Sequence, residues 1–167
     1  TPAWRGRLAK ALEGRAGFSV HAAPEFMSLS LPEALRDARF REAVEVAAAH
    51  GAQYVVLHPT CGDIPDMRSH RAPLREKLGE YVRLAKACGV PLALENLFPD
   101  AQGRMALPEA EFRSLLEDLP EARALIDIGH ALLSGWSLPG LIEALRGRIV
   151  AYHVHNNDGV RDSHDRI

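Results

Sequence analysis

Five short apolar runs in this chain each stop on a side chain that can bind a divalent cation: FSVH at His21, YVVLH at His58, PLALE at Glu95, ALID at Asp127 and AYHVH at His155. Runs of that length, rich in Val, Leu, Ile, Phe and Tyr, read as strands buried on both faces of a parallel sheet. Parallel strands laid side by side share one C-terminal rim, so the five groups converge there. Few folds satisfy that pattern.

The segments between the runs read as helices. A helix over 4–13 carries Trp4, Leu8 and Leu12 and leads to a strand over 18–23. Ser30-Leu-Pro-Glu33 has capping-box spacing and predicts a helix running to His50, with Gly51 as its left-handed stop. After strand 54–58 comes a polar loop over 60–72, then a helix over 73–88 with Leu74, Leu78, Tyr81, Val82 and Ala85 on one face. Gly89 ends it, and strand 91–95 follows. Loop 96–107 precedes a helix carrying Phe112, Leu115, Leu116 and Leu119, and then strand 123–127. Ser137-Leu-Pro-Gly140 opens a short helix that closes near Gly147, before strand 149–155.

Strands alternating with helices at this spacing pair in parallel through right-handed crossovers. The long loops follow strands, which puts the working loops on the C-terminal rim. The expected class is α/β, a (β/α)8 TIM barrel of which about five βα units are present and the C-terminal strands are missing. A closed barrel needs eight strands and about 250 residues. The expectation is therefore one barrel domain over 1–167, belonging to a longer chain, since an open five-strand sheet leaves two edges bare.

Charge narrows the partners. A net charge of −2 and a pI near 6.4 give no footprint for nucleic acid. The nearest basic run, Arg5, Arg7, Lys10 and Arg15, reads as the solvated face of one helix. No 18-residue apolar segment is present, so no membrane partner is expected, and the first residues lack the apolar core of a signal peptide. Cys61 and Cys88 have no paired-motif spacing, which suits a reducing cytoplasm; Cys61 falls just past the second strand, near the expected site.

Taken singly, a histidine or aspartate at a strand end has a dull explanation, as a rim hydrogen-bonder or helix cap. Five in a row do not. Asp127-Ile-Gly-His130 adds a donor that a turn at Gly129 would fold back to the rim. His153-Val-His155-Asn-Asn-Asp158 and Arg161-Asp162-Ser-His164 add more within twelve residues. Imidazole with carboxylate, and no cysteine, suits a divalent metal: Zn or Mn first, with Co, Fe or Mg as alternatives.

The strings VHAAP, LHPT, LEN, DIGH and HVHNND-GVRDSH resemble the successive metal-site motifs of the xylose isomerase-like barrels, a superfamily of sugar isomerases and epimerases that includes the zinc-dependent apurinic-site nuclease endonuclease IV. The resemblance runs from about residue 18 to the end. It implies core ligands Glu95, Asp127 and His155, with a fourth, a glutamate on the last strand, beyond this sequence. In the endonuclease branch His21 and His58 would join Glu95 at one zinc, Asp127 and His155 would share a second with it, and His130, Asp162 and His164 would hold a third. Glu95 and His155 are the expected catalytic residues; Asn96, His153 and Asp158 are the expected substrate contacts. The implied activity is isomerisation or epimerisation of a small sugar or sugar phosphate, by proton transfer through a metal-stabilised enediolate. An endonuclease IV-like phosphodiesterase, the one reading with a nucleic-acid partner, is the alternative, followed by a non-catalytic metabolite-binding barrel. The oligomeric state is left open.

Overall fold

The computed structural model describes residues 3–28, 30–60, 67–100, 103–105 and 107–164. The order is α1 (Ala3–Leu12), β1 (Val20–His21), a 3-10 turn (Pro24–Met27), α2 (Glu33–Ala49), β2 (Val55–Leu57), α3 (Met67–Ala87), β3 (Leu92–Glu95), α4 (Glu109–Asp118), β4 (Arg123–Asp127), α5 (Ile128–Leu133), α6 (Leu138–Leu145) and β5 (Ile149–His153). All four strand pairs are parallel, in the spatial order β1-β2-β3-β4-β5, which makes a curled half-barrel with its helices outside. Among the described residues no helix is long and apolar enough to cross a membrane.

Two apolar layers follow from the two-residue period of a strand. The outer one packs Val55, Leu57, Leu92, Leu94, Ala124 and Ile126 against Phe40, Leu78, Phe112 and Leu115 of the helices. Truncating the fully buried Phe40 or Phe112 to Ala would cost about 3–5 kcal/mol. The inner layer is small: Val56, Ala93 and Leu125, with Tyr54 and Ala151 against them. One inward position further along β2 to β5 stand His58, Glu95, Asp127 and His153. The polar rim is thus the next storey of the barrel interior.

A bulge sets the phase of β5. Ala124 pairs with Ile149 but Leu125 pairs with Ala151, so β5 carries one extra residue. Ile149 consequently packs in the outer core and Ala151 in the inner one, and His153 rather than Tyr152 lies opposite Asp127.

Several boundaries differ from the sequence reading. The capping box does not form: Pro32 occupies the N-cap of α2, the Ser30 hydroxyl meets that of Ser28 at 2.7 Å, and Glu33 reaches Lys77 at 2.6 Å. Helix α3 starts at Met67, inside the stretch read as loop, and contains Pro73. The first half of that loop, with Cys61, lies outside the described residues. Strand β1 pairs over two residues and β5 ends at His153, so His155 projects from the segment beyond it. Gly51 and Gly89 hold the positive φ expected of helix stops, +71° and +76°.

Candidate metal centre

Four polar residues are buried among the described ones: Glu95, Asn96, Asp127 and His130. All stand at or just past the C-terminal ends of β3 and β4. Charged groups are almost never fully buried unless paired or holding a metal, so this concentration marks the site.

Glu95, 1 % exposed, is ringed by imidazoles. Its Oε2 faces His21 Nε2 at 3.1 Å and His58 Nε2 at 3.2 Å. Its Oε1 faces His153 Nδ1 at 3.1 Å and His130 Nδ1 at 3.7 Å. Burial alone would raise this carboxyl; the hydrogen bonds of His21 and His58 and the charge of His58 and His153 outweigh it and hold the group well below the usual carboxylate range. Asp127, fully buried, meets His155 Nε2 at 3.1 Å through Oδ1 and His153 Nδ1 at 3.6 Å through Oδ2. Asp162 gathers His130 Nε2 at 3.3 Å, His155 Nε2 at 3.4 Å and His164 Nε2 at 3.0 Å.

The ring tautomers decide what this geometry means. His21 Nδ1 lies 2.9 Å from the Ala22 carbonyl, His130 Nδ1 2.8 Å from that of Asn96, and His155 Nδ1 3.3 Å from that of Asn156. A carbonyl oxygen only accepts, so each Nδ1 carries the hydrogen. In its neutral form each ring would aim an Nε2 lone pair at a carboxylate: Glu95, Asp162 and Asp127 respectively. Lone pair against carboxylate is repulsive unless a proton or a cation lies between. Protonating every ring would crowd imidazolium ions whose centroids are 4.0 Å (His155 and His164) to 5.9 Å (His21 and His153) apart. Like charges at 5 Å repel by about 3 kcal/mol at an effective dielectric near 20. A divalent ion answers the same need at fewer points.

The residues fit such an ion. Three sets of donor atoms each lie within 4.8 Å of one another: His130, His155, Asp162 and His164; His21, Glu95 and His153; Glu95, Asp127 and His130. Ligands at about 2.1 Å from one metal are separated by roughly 3–4 Å. Asp127 Oδ2 and Asp162 Oδ1 are buried without a hydrogen-bond partner, which is the state of a carboxylate oxygen shaped for a metal. A backbone carbonyl on the far ring nitrogen is also how metal-binding imidazoles are oriented.

Local structure holds these groups. Asn96 clamps Asp127: its Oδ1 accepts from the Asp127 amide at 2.8 Å and its Nδ2 donates to the Asp127 carbonyl at 3.0 Å. Asp127 caps α5, accepting from the His130 amide at 2.8 Å. His130 therefore rides on a helix, not on the turn at Gly129 expected from sequence. Gly129 itself is needed for space, because a Cβ there would stand 2.6 Å from His155 Nε2.

Of the residues singled out in sequence, the structure brings together His21, His58, Glu95, Asp127, His130, His153, His155, Asp162 and His164. Asn96 spends its amide on Asp127. Asp158 stays apart: it is exposed, accepts from Arg161 at 3.0 Å, and is held down to about 2 by the backbone amides of Arg161 and Val160 and by that guanidinium. His153 touches both buried carboxylates, a closer role than its sequence position suggested; the two-residue period from Ala151 was the available signal. One residue went unnoticed, Phe98, whose ring lies 4.8 Å from that of His130, and Gly129 was read as a turn and not as space for His155.

A cavity of about 370 Å³ opens beside the cluster, with His58 and Asp162 on its wall. A different one of about 340 Å³ lies between α2 and α3 around Lys77, whose amine is taken by Glu33 and Glu80 at 2.6 Å each; it is part of the helix packing.

A sequence profile described as xylose isomerase-like TIM barrel matches residues 2–167. The chain belongs to that family. Among solved structures, a D-tagatose 3-epimerase-like protein superposes with a TM-score of 0.76 at 24% identity, covering 98% of this chain and 66% of its own. The TTHB071 protein from Thermus thermophilus, in a structure soaked with ZnCl2, gives 0.76 at 26% identity with the same coverages. The uncharacterized protein MJ1614 of Methanocaldococcus jannaschii is 27% identical over 125 residues, 74% of this chain and 48% of that protein. The chain thus spans about half of that relative and about two thirds of the two structures.

Proposed function

We propose that this chain carries the metal-binding rim of a sugar isomerase or epimerase that moves a proton between neighbouring carbons. One observation carries the reading: imidazoles fixed at Nδ1 by backbone carbonyls, with their Nε2 atoms turned on the carboxylates of Glu95, Asp127 and Asp162. Glu95, Asp127 and His155 would hold the central ion, with His21, His58 and His153 around Glu95 and His130, Asp162 and His164 around the outer edge. Zn or Mn suits the donors best. A bound ion draws electrons from adjacent substrate oxygens and so acidifies the carbon beside the carbonyl.

The side chains do the rest. Glu95 Oε1, the oxygen turned to His153, would take the proton while Oε2 faces His21 and His58. A carboxylate held this low is a weak base, which is why the carbon must be acidified for transfer to run. His153, half-exposed at the mouth, holds Oε1 in place and meets the substrate. A structural neighbour described as D-tagatose 3-epimerase-like supports this chemistry. Two cysteines without paired-motif spacing and ordinary charge suit a cytoplasmic setting.

The test is solvent exchange. Metal-loaded protein in D2O, offered a panel of ketopentoses, ketohexoses and their alkyl- and aryl-substituted derivatives, should place one deuterium beside the carbonyl, read by mass spectrometry. Metal-loaded protein that exchanges no sugar contradicts the assignment. A second reading, phosphodiester cleavage at abasic sites, is favoured by the separate His130, His155, Asp162 and His164 set, more than a one-metal epimerase requires. EDTA-sensitive cutting of a duplex with one abasic site would establish it.

A further inference from the structure

The cavity beside the cluster has an unusual balance for a sugar site. Its inner wall is His58 and Asp162, and apart from Thr60 and the pair Asp100 and Arg104 the rest of the described wall is apolar: Leu97, Phe98, Met105 and Leu107 stand there with Phe112 and three prolines. Phe98 is 37 % exposed and lays its ring beside that of His130, 4.8 Å away, so an apolar face is presented within reach of the metal-seeking groups. At about 370 Å³ the space lies in the range of small-molecule sites.

Charge in the lining is set against phosphate. Arg104 is the one lysine or arginine on the described wall, and Asp100 answers it, accepting from its Nε at 2.7 Å and its amide at 2.8 Å. Asp162 adds a second negative group, with Oδ1 buried and without a hydrogen-bond partner. A phosphate entering here would find the one described guanidinium of the wall already engaged by Asp100, and apolar surface besides.

We infer that the ligand of this site carries an alkyl or aryl substituent, not a phosphate, remote from the oxygens that seek the metal, and that Phe98 is the specificity-determining surface for it. Resting on the metal-dependent reading above, this narrows the substrate class to an unphosphorylated sugar derivative bearing an apolar group. The apolar group would settle between Phe98, Leu97 and Leu107, gaining affinity from the surface it removes from water.

Hydroxamates test this without knowledge of the substrate, because their two oxygens bind a divalent ion as vicinal sugar oxygens would. Zinc-loaded protein is titrated by calorimetry with acetohydroxamate, phenylacetohydroxamate and a phosphonate-tailed acetohydroxamate. The phenyl compound should bind about tenfold or more tighter than acetohydroxamate, and the phosphonate no tighter. Phe98→Ala should collapse the phenyl-to-methyl ratio toward one, and Phe98→Tyr should keep it; acetohydroxamate binding in each variant reports an intact metal site. Equal affinity for phenyl and methyl compounds, or a preference for the phosphonate, overturns the inference while leaving the metal reading standing. Failure of acetohydroxamate itself to bind the zinc-treated protein overturns both.

Discussion

The rim holds two histidine groups built on different supports. Around Glu95 the donors come from β1, β2 and β5 and close on a carboxylate at the end of β3, 1 % exposed. Around Asp162 they come from α5 and from the segment beyond β5; the Asp162 side chain is 17 % exposed and that of His164 62 %. The first group is positioned by the hydrogen-bonded sheet and the small inner layer of Val56, Ala93 and Leu125 beneath it. The second depends on a loop that needs its ligands as much as it supplies them. Strand-borne groups take their positions from the sheet; loop-borne groups take theirs largely from one another.

Disrupting the sheet-borne group should therefore have the largest effect. Glu95→Gln removes the buried carboxylate that His21, His58 and His153 share, so divalent affinity in equilibrium dialysis should fall by about a hundredfold or more and exchange in D2O should stop. Gly129→Ala comes next: its new Cβ collides with the His155 ring, so affinity should drop by about 10–100-fold with the fold intact by circular dichroism. Retained affinity there would mean that His155 is not a ligand.

Acidity should sharpen the contrast. The hydrogen bond to Glu95 raises His21 above its ordinary 6.5, against its burial. Burial would lower His155, but the Asn156 carbonyl and the charges of Asp127 and Asp162 raise it. A raised value means that the metal-free ring keeps its proton to higher pH, and a cation must displace it. Affinity should thus fall as pH drops, starting above pH 6.5, by about tenfold per unit for each proton displaced. A flat affinity between pH 8 and pH 6 would contradict the role of both rings. The smallest effect belongs to His164→Ala, an exposed edge group: less than about tenfold on total affinity, and confined to the weaker ion where two are resolved.

Much of this was legible in the sequence because strand ends and ligands coincide. The five runs gave the parallel order, and Glu95, Asp127, His58 and His21 stand where those runs stop. What escaped notice was decided by contacts that no local pattern encodes. The six-residue α5 is too short to show a helical period, so His130 read as part of a turn. Ser30 pairs with Ser28 instead of capping α2, since Pro32 takes the N-cap. The helix read from residue 73 begins at Met67 and runs through Pro73. The β5 bulge shifts the register so that His153 and not Tyr152 lies opposite Asp127, which only pairing with β4 reveals. Phe98 looked like loop; its place depends on His130, 32 positions away.

The central claim is that Glu95 and the imidazoles around it share a cation. Anomalous scattering at the zinc edge, from crystals grown with equimolar zinc, tests it most directly. The account predicts a peak about 2.1 Å from Glu95 and from at least one Nε2 of its neighbouring histidines. Zinc found only at surface histidines such as His50 or His70, with the Glu95 ring of imidazoles unchanged and empty, would contradict it.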